Sequence, residues 1–384
     1  MQRIQVNMPS FRLGDLTAKL PIVQGGMGVG ISLSGLASAV ANEGGIGVIA
    51  VAGIGMFEPD FYTNCQESCL RALRNEIRRA RKLTDGILGV NIMVALSDYA
   101  DLVRTSVEEG IDIIFSGAGL PLELPALVKN ARTKLVPIIS SARAARIICK
   151  KWWDEFNILP DAFVIEGPEA GGHLGFKADD LTLPENRLEN LVPDVINTLK
   201  PFESLVSRTI PVIAAGGIFN GKDILRFLKL GASAVQMGTR FVATEECDAH
   251  PLFKQSFIDA KKKDVVIIKS PVGLPGRAIF NDFLKRVAEG KNKPPKCPYH
   301  CVRTCDYTRS PYCIFHALVN AQRGYLAKGF AFCGSNVYRI KKITTVHNLL
   351  KQLAREYASA VRSAIASEPD PIPASNKAAM LAYP

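Results

Sequence analysis

His173 stands in the run Ile165-Glu-Gly-Pro-Glu-Ala-Gly-Gly-His-Leu-Gly175, an imidazole among four glycines behind a strand-like stretch. Glycines on both sides let a backbone approach a ligand closely and leave the ring reachable, so His173 reads as a site residue able to exchange protons near neutral pH. A second chemistry is suggested by Ile210-Pro-Val-Ile-Ala-Ala-Gly-Gly-Ile218 and Gln236-Met-Gly-Thr-Arg-Phe241, each a strand ending in glycine. Gly216, Gly217, Gly238 and Thr239 would offer a phosphate cradle of backbone N–H groups with one hydroxyl; the plainer alternative is that the glycines only permit tight turns. A third is suggested by Cys297, Cys301, Cys305 and Cys313, four of the nine cysteines. Thiols four residues apart would share one helical face, and Pro311 could bring the fourth round. They could hold Zn²⁺ or a [4Fe–4S] cluster, with His300 or His316 as substitute ligands, or they are unliganded thiols packed in an insertion.

The elements that must position these residues alternate regularly. Eight short Val- and Ile-rich runs read as parallel strands covered on both faces: 20–24, 46–50, 87–93, 111–115, 135–140, 162–166, 210–215 and 232–237. Helical segments fall between them at 32–42, 67–83, 100–109, 122–131, 142–156, 187–205 and 221–230. Eight strand–helix units in about 240 residues make an α/β chain with the size of a (β/α)8 TIM barrel. Chemistry in such barrels gathers at the carboxyl ends of the strands, where Gln24 to Gly30, Asn91, Gly117 to Gly119, Ser140-Ser141, the His173 loop, Gly216-Gly217 and Gly238-Thr239 all fall. A Rossmann domain is the competing architecture, but glycines 26, 28 and 30 do not make Gly-x-Gly-x-x-Gly and no acidic residue follows the second strand. The expected organisation is a barrel over 1–290, a Cys-containing insertion and a helical segment returning to the barrel over 291–366, and a mobile tail over 367–384.

Composition narrows the class. Hydrophobic residues at 47% and charged residues at 22% are those of a globular chain with a large core. The net charge of +11 is partly gathered in Arg71 to Lys82, where six of twelve residues are basic. No nucleic-acid motif accompanies it, so it reads as a solvated face whose positive field would attract anionic substrates or cofactor phosphates. The longest apolar stretch, Gly44 to Phe57, is short and glycine-rich, which excludes a membrane span, and the first residues lack a signal-peptide core; the expected location is cytoplasmic.

Pro21-Ile-Val-Gln-Gly-Gly-Met27, Gly89-Val-Asn-Ile-Met93, Glu166-Gly-Pro-Glu-Ala-Gly-Gly-His173, Ala214-Ala-Gly-Gly-Ile218 and Gln236-Met-Gly-Thr-Arg-Phe241 together resemble the nitronate monooxygenase (2-nitropropane dioxygenase) family. That superfamily includes the FMN-dependent enoyl-[acyl carrier protein] reductases of the second type. The resemblance runs from about residue 18 to 285 and resumes at Phe315 to Asn336. It implies FMN across the barrel mouth, the phosphate on Gly216, Gly217, Gly238 and Thr239. Gly26, Met27 and Asn91 would meet the isoalloxazine edge, and Glu166, Gly171, Gly172 and Gln236 complete the cofactor-binding set. His173 would be catalytic, as base toward a nitroalkane, as donor to a nitronate oxygen, or as polariser of a thioester carbonyl. The substrate is then a small molecule: a nitronate, or an enoyl thioester or quinone reduced with NAD(P)H. A flavin- and metal-containing electron-transfer or sensing protein is the non-enzymatic alternative.

Overall fold

A computed structural model describes residues 7–129, 131–292, 296–297 and 299–367. The Val- and Ile-rich runs form eight parallel strands: β1 (Ile22–Gln24), β2 (Gly47–Ala50), β3 (Leu88–Met93), β4 (Ile113–Gly117), β5 (Lys134–Ile139), β6 (Phe163–Glu166), β7 (Val212–Ala215) and β8 (Ala234–Met237). Each pairs with its sequence neighbour, β8 pairs with β1, and a parallel bridge between Val23 and Ile46 closes the ring. This is the expected TIM barrel. Helices α1 (Ser34–Asn42), α2 (Cys65–Leu83), α3 (Tyr99–Glu108), α4 (Leu124–Leu127), α5 (Ala142–Phe156), α6 (Leu188–Val206) and α7 (Gly221–Lys229) occupy the seven crossovers. Only α4 falls well short of its expected span of 122–131; with Pro125 in its first turn, it ends after a single turn at Val128.

Side chains alternate with a period of two along each strand. Val23, Val48, Phe115, Val136, Val164 and Ile213 fill the interior, while Ile22, Ile49, Val90, Ile114, Ile165 and Val235 pack against the helices. Phe11 and Leu13, from the hairpin Phe11–Leu13/Leu16–Ala18, join the interior cluster at the amino-terminal end, where Asp15 pairs with Lys134 at 2.6 Å. The same alternation turns Asn91, Glu166 and Gln236 inward at the opposite, carboxyl end.

Beyond the barrel come α8 (Thr239–Val242), α9 (Pro251–Asp259), a hairpin of β9 (Val265–Lys269) and β10 (Pro275–Ile279), and α10 (Asp282–Ala288). The two residues Gly172–His173 add to β10 as a third antiparallel strand. After the cysteine stretch, α11 (Ile314–Gln322) leads into a segment that bridges Phe332 to Ala278 on β10. Helix α12 (Val346–Ala366) then packs on α7, where the Gly221 amide donates to Glu356 Oε2 at 2.9 Å. The tail expected over 367–384 lies, after Ser367, outside the described residues. Among the described residues no helix is long and apolar enough to cross a membrane.

The cysteine stretch departs from expectation. Among the described residues no group of three or more His, Cys, Asp or Glu side chains could hold a metal ion, and all nine thiols are free. The reading of Cys297, Cys301, Cys305 and Cys313 as a Zn²⁺ or [4Fe–4S] site is therefore corrected. Its premise was a helix, and the chain here is not helical. Val302 bridges Leu96 in antiparallel fashion, Ser97 N donates to Cys301 O at 3.1 Å and Arg303 N to Ala95 O at 2.9 Å, so Cys301 to Arg303 pair with the β3–α3 loop, and the chain then runs through turns to α11. Cys301, Cys305 and Cys313 pack against the core as small apolar groups, and burial pushes the Cys301 thiol up to about 12.

Candidate active site

One cavity of about 530 Å³ opens at the carboxyl ends of the barrel strands. Gly26, Met27, Asn91, Glu166, Gly171, Gly172, His173, Gly216, Gly217, Gln236, Gly238 and Thr239 all line it. Every residue singled out from the sequence for catalysis or cofactor binding thus meets at one place.

At one end the chain presents amides. Gly216 and Gly217 have φ of 99° and 77°, the left-handed region that glycine enters freely. Among the described residues the N–H groups of Gly216, Gly217 and Gly238 donate to no protein acceptor. A side chain at Gly217 would overlap the Glu169 carboxylate. Amides left free on glycines that line one cavity make a surface suited to a phosphate. The Thr239 hydroxyl oxygen accepts from Gly334 N at 2.8 Å, so its hydrogen is left to donate into the cavity. The returning segment fastens this end: Asn336 Nδ2 donates to Gly217 O at 2.7 Å, and Ser335 N to Glu169 O at 3.1 Å. A Cβ on Gly171 would meet the Cys333–Gly334 backbone at 2.6 Å, so the two loops touch main chain to main chain.

Two features here were not read from the sequence. Arg240 lines the cavity, donates to Phe219 O at 3.0 Å and stacks 4.4 Å from the centre of the Phe219 ring; Arg339 stacks on the same ring at 4.1 Å. Two guanidinium groups thus supply positive charge beside the cradle. Arg277, on β10, reaches back to the carbonyls of Pro168 and Ala170 and clamps the loop that carries Glu169 to His173. Arg240 stood in a quoted motif without being assigned a role, and only the β10 pairing connects Arg277 with the loop.

In the turn after β1, Val29 is held at φ 59°, a left-handed conformation unusual for a β-branched residue, by its amide's 2.8 Å bond to Ala52 O. This shapes the Gly25–Gly30 turn beneath Asn91. Gly26 approaches Asn91 so closely that a Cβ would overlap that side chain. Glu166 ends β6 with its carboxyl enclosed, and burial pushes it up to about 7.

His173 is less open than its glycine neighbours suggest. It is half-buried in the three-stranded sheet, with the Phe332 ring edge-on at a centroid distance of 5.0 Å. Its Nε2 lies 2.7 Å from Ser270 Oγ. Burial lowers the imidazole to about 4, so the ring is neutral at pH 7. The remaining walls are apolar: Phe332 against the ring, Val272, Leu274 and Val302, and Phe253, Phe257, Phe315 and Leu318 from α9 and α11.

The profile of the nitronate monooxygenase family matches residues 10–356. A Mycobacterium tuberculosis protein, (3aS,4S,5R,7aS)-5-hydroxy-7a-methyl-1-oxo-octahydro-1H-indene-4-carboxyl-CoA dehydrogenase, is 29% identical over 270 residues, 70% of this chain and 66% of that one. A probable nitronate monooxygenase of Staphylococcus aureus is 28% identical over 309 residues, 74% of this chain and 81% of that one. The structure of FabK from Thermotoga maritima superposes with a TM-score of 0.72 at 29% identity, over 91% of this chain and 96% of that one. The nitroalkane oxidase of Streptomyces ansochromogenes shares the fold, with a TM-score of 0.70 at 24% identity over 91% of this chain and 98% of that one.

Proposed function

The chain belongs to the nitronate monooxygenase family, a group of flavin-dependent oxidoreductases, and on that premise we propose that it uses FMN to oxidise alkyl nitronates. The observation that carries this reading is one cavity lined both by the amide cradle and by a neutral imidazole. The cradle suits one phosphate ester, and the other glycine-rich turn of the wall, Gly25–Gly30, is closed against the Asn91 side chain at Gly26; this favours FMN over FAD.

FMN, when bound, supplies the electron acceptor. The protein supplies the rest. Gly216, Gly217, Gly238 and Thr239 hold the phosphate, and Arg240 balances its charge. Asn91, with a donor and an acceptor on one side chain, suits the pyrimidine edge of the ring system, with Gly26, Met27 and Gln236 beside it. Gly171 and Gly172 let the backbone close on the cofactor, and Glu166, part-protonated at neutral pH, can donate as well as accept. His173 steadies an oxygen of the substrate anion, and Phe332, Val272 and Leu274 keep water from it.

A second reading is NAD(P)H-dependent reduction of an enoyl thioester or quinone. The apolar lining that Phe253, Phe257 and Leu318 add to the cavity supports it, as does the CoA substrate in the mycobacterial relative's name. Anaerobic mixing of the FMN-loaded protein separates the two. Bleaching of the flavin by a nitronate but not by NADH or NADPH is expected. Bleaching by a reduced nicotinamide alone would replace the proposal with the reductase reading.

A further inference from the structure

We propose that Ser270 is a positioning residue that fixes His173 in the tautomer with its proton on Nδ1, so that the imidazole meets a bound substrate as a hydrogen-bond donor and not as a base. The inference rests on the placement of His173 at the substrate and adds which nitrogen acts and in which form.

The geometry is set by the hairpin. Lys269 and Pro275 are the last paired residues of β9 and β10, and Ser270 to Leu274 form the turn between them. The turn is held by Ser270 N donating to Leu274 O at 3.1 Å and Gly273 N to Ser270 O at 3.0 Å. One residue into β10, Gly276 pairs with His173, so the turn places Ser270 against the ring across the sheet. Ser270 is only 3% exposed, and its hydroxyl cannot turn to bulk water.

A buried hydroxyl left without an acceptor for its hydrogen is destabilising, because it has given up its bond to water. Among the described residues, His173 Nε2 at 2.7 Å is the acceptor within reach, while the Val272 amide approaches the same oxygen as a donor at 3.5 Å. Ser270 O–H therefore donates to Nε2. A neutral imidazole that accepts at one nitrogen carries its proton on the other. Among the described residues Nδ1 has no protein partner, and His173 lines the cavity. Burial, which holds the ring neutral at pH 7, keeps this arrangement from being replaced by the doubly protonated form. An Nδ1–H donor suits an oxygen that is already anionic, as in a nitronate, and has no lone pair with which to deprotonate a neutral nitroalkane.

The test uses the FMN-loaded protein labelled with ¹⁵N in its five histidines, the His173 signals being assigned by their loss in His173→Gln. Long-range ¹H–¹⁵N correlation should show His173 protonated at Nδ1, and Ser270→Ala should shift population toward Nε2–H. With a preformed alkyl nitronate, Ser270→Ala should lower kcat by about 10- to 100-fold, as loss of an orienting partner does, with flavin content unchanged. Ser270→Thr, which keeps the hydroxyl, should restore the Nδ1–H signal, and Ser270→Ala should cost nothing further in a His173→Ala background. Protonation at Nε2 in the unmodified protein, or an unchanged tautomer in Ser270→Ala, would overturn the inference. Unchanged nitronate turnover in His173→Ala would instead remove the functional reading beneath it, leaving the tautomer to be judged by the spectrum alone.

Discussion

The side-chain amide of Asn336 donates to the carbonyl oxygen of Gly217 at 2.7 Å, joining two points 119 positions apart in the chain. Gly217 contributes an unpaired amide to the cradle, and Asn336 fixes the peptide that follows it, between Gly217 and Ile218. Asn336→Ala should weaken FMN binding by about 5- to 10-fold, the scale of one net hydrogen bond, in a fluorescence-quenching titration. An unchanged affinity would show that the Gly216–Gly217 turn holds itself.

A side chain at Gly217 has nowhere to go: φ is 77° and its Cβ would overlap the Glu169 carboxylate. Gly217→Val should purify without flavin and fail to take up FMN. The flavin released by heat from the unmodified protein should chromatograph as FMN. Recovery of FAD would require a second phosphate site that the cavity does not display.

Glu166 and His173 give the flavin-free protein opposite pH dependences. Burial raises Glu166 from 4.5 to about 7, so the folded state binds the extra proton; its contribution is fully present below about 4.5 and is lost as pH rises through 7. His173 is lowered from 6.5 to about 4, so its contribution is present above 6.5 and is lost as pH falls toward 4. Glu166→Gln should therefore raise Tm at pH 8 by about 2–4 °C and change it little at pH 5. A gain at pH 5 equal to that at pH 8 would mean that the carboxyl is not being protonated by its surroundings.

The cysteine stretch acts through an apolar neighbour. Val302 is 2% exposed, lines the cavity and carries the bridge to Leu96. Val302→Glu should lower stability by about 1–3 kcal/mol in urea unfolding, the cost of an unpaired polar group in that wall. Cys301→Ser should leave FMN affinity unaltered, and zinc or iron at one atom per chain in the purified protein would contradict the arrangement described.

The barrel was readable because parallel strands buried on both faces leave Val- and Ile-rich runs, and all eight were located with no end displaced by more than two residues. That Gly216, Gly217 and Gly238 line one cavity was readable for a similar reason, since tight turns at strand ends mark themselves in composition. What surrounds His173 was not. Ser270, Phe332 and Arg277 reach it through antiparallel pairing of β10 with a two-residue strand, and a strand that short carries no periodicity. The cysteines misled in the other direction: intervals of four describe a helix, but pairing with Leu96 and Ser97 determined an extended backbone.

The closure of the cradle by Gly334 to Asn336 also sets an order of events during synthesis. The barrel strands end at Met237, yet the phosphate end is incomplete until almost a hundred further residues have emerged and the segment after Phe332 has folded back onto Gly217 and Thr239. Completion of this end of the cavity is thus a late step in the protein's maturation. A chain halted between Met237 and that return would have its barrel strands but not the bonds of Gly334 and Asn336 to Thr239 and Gly217.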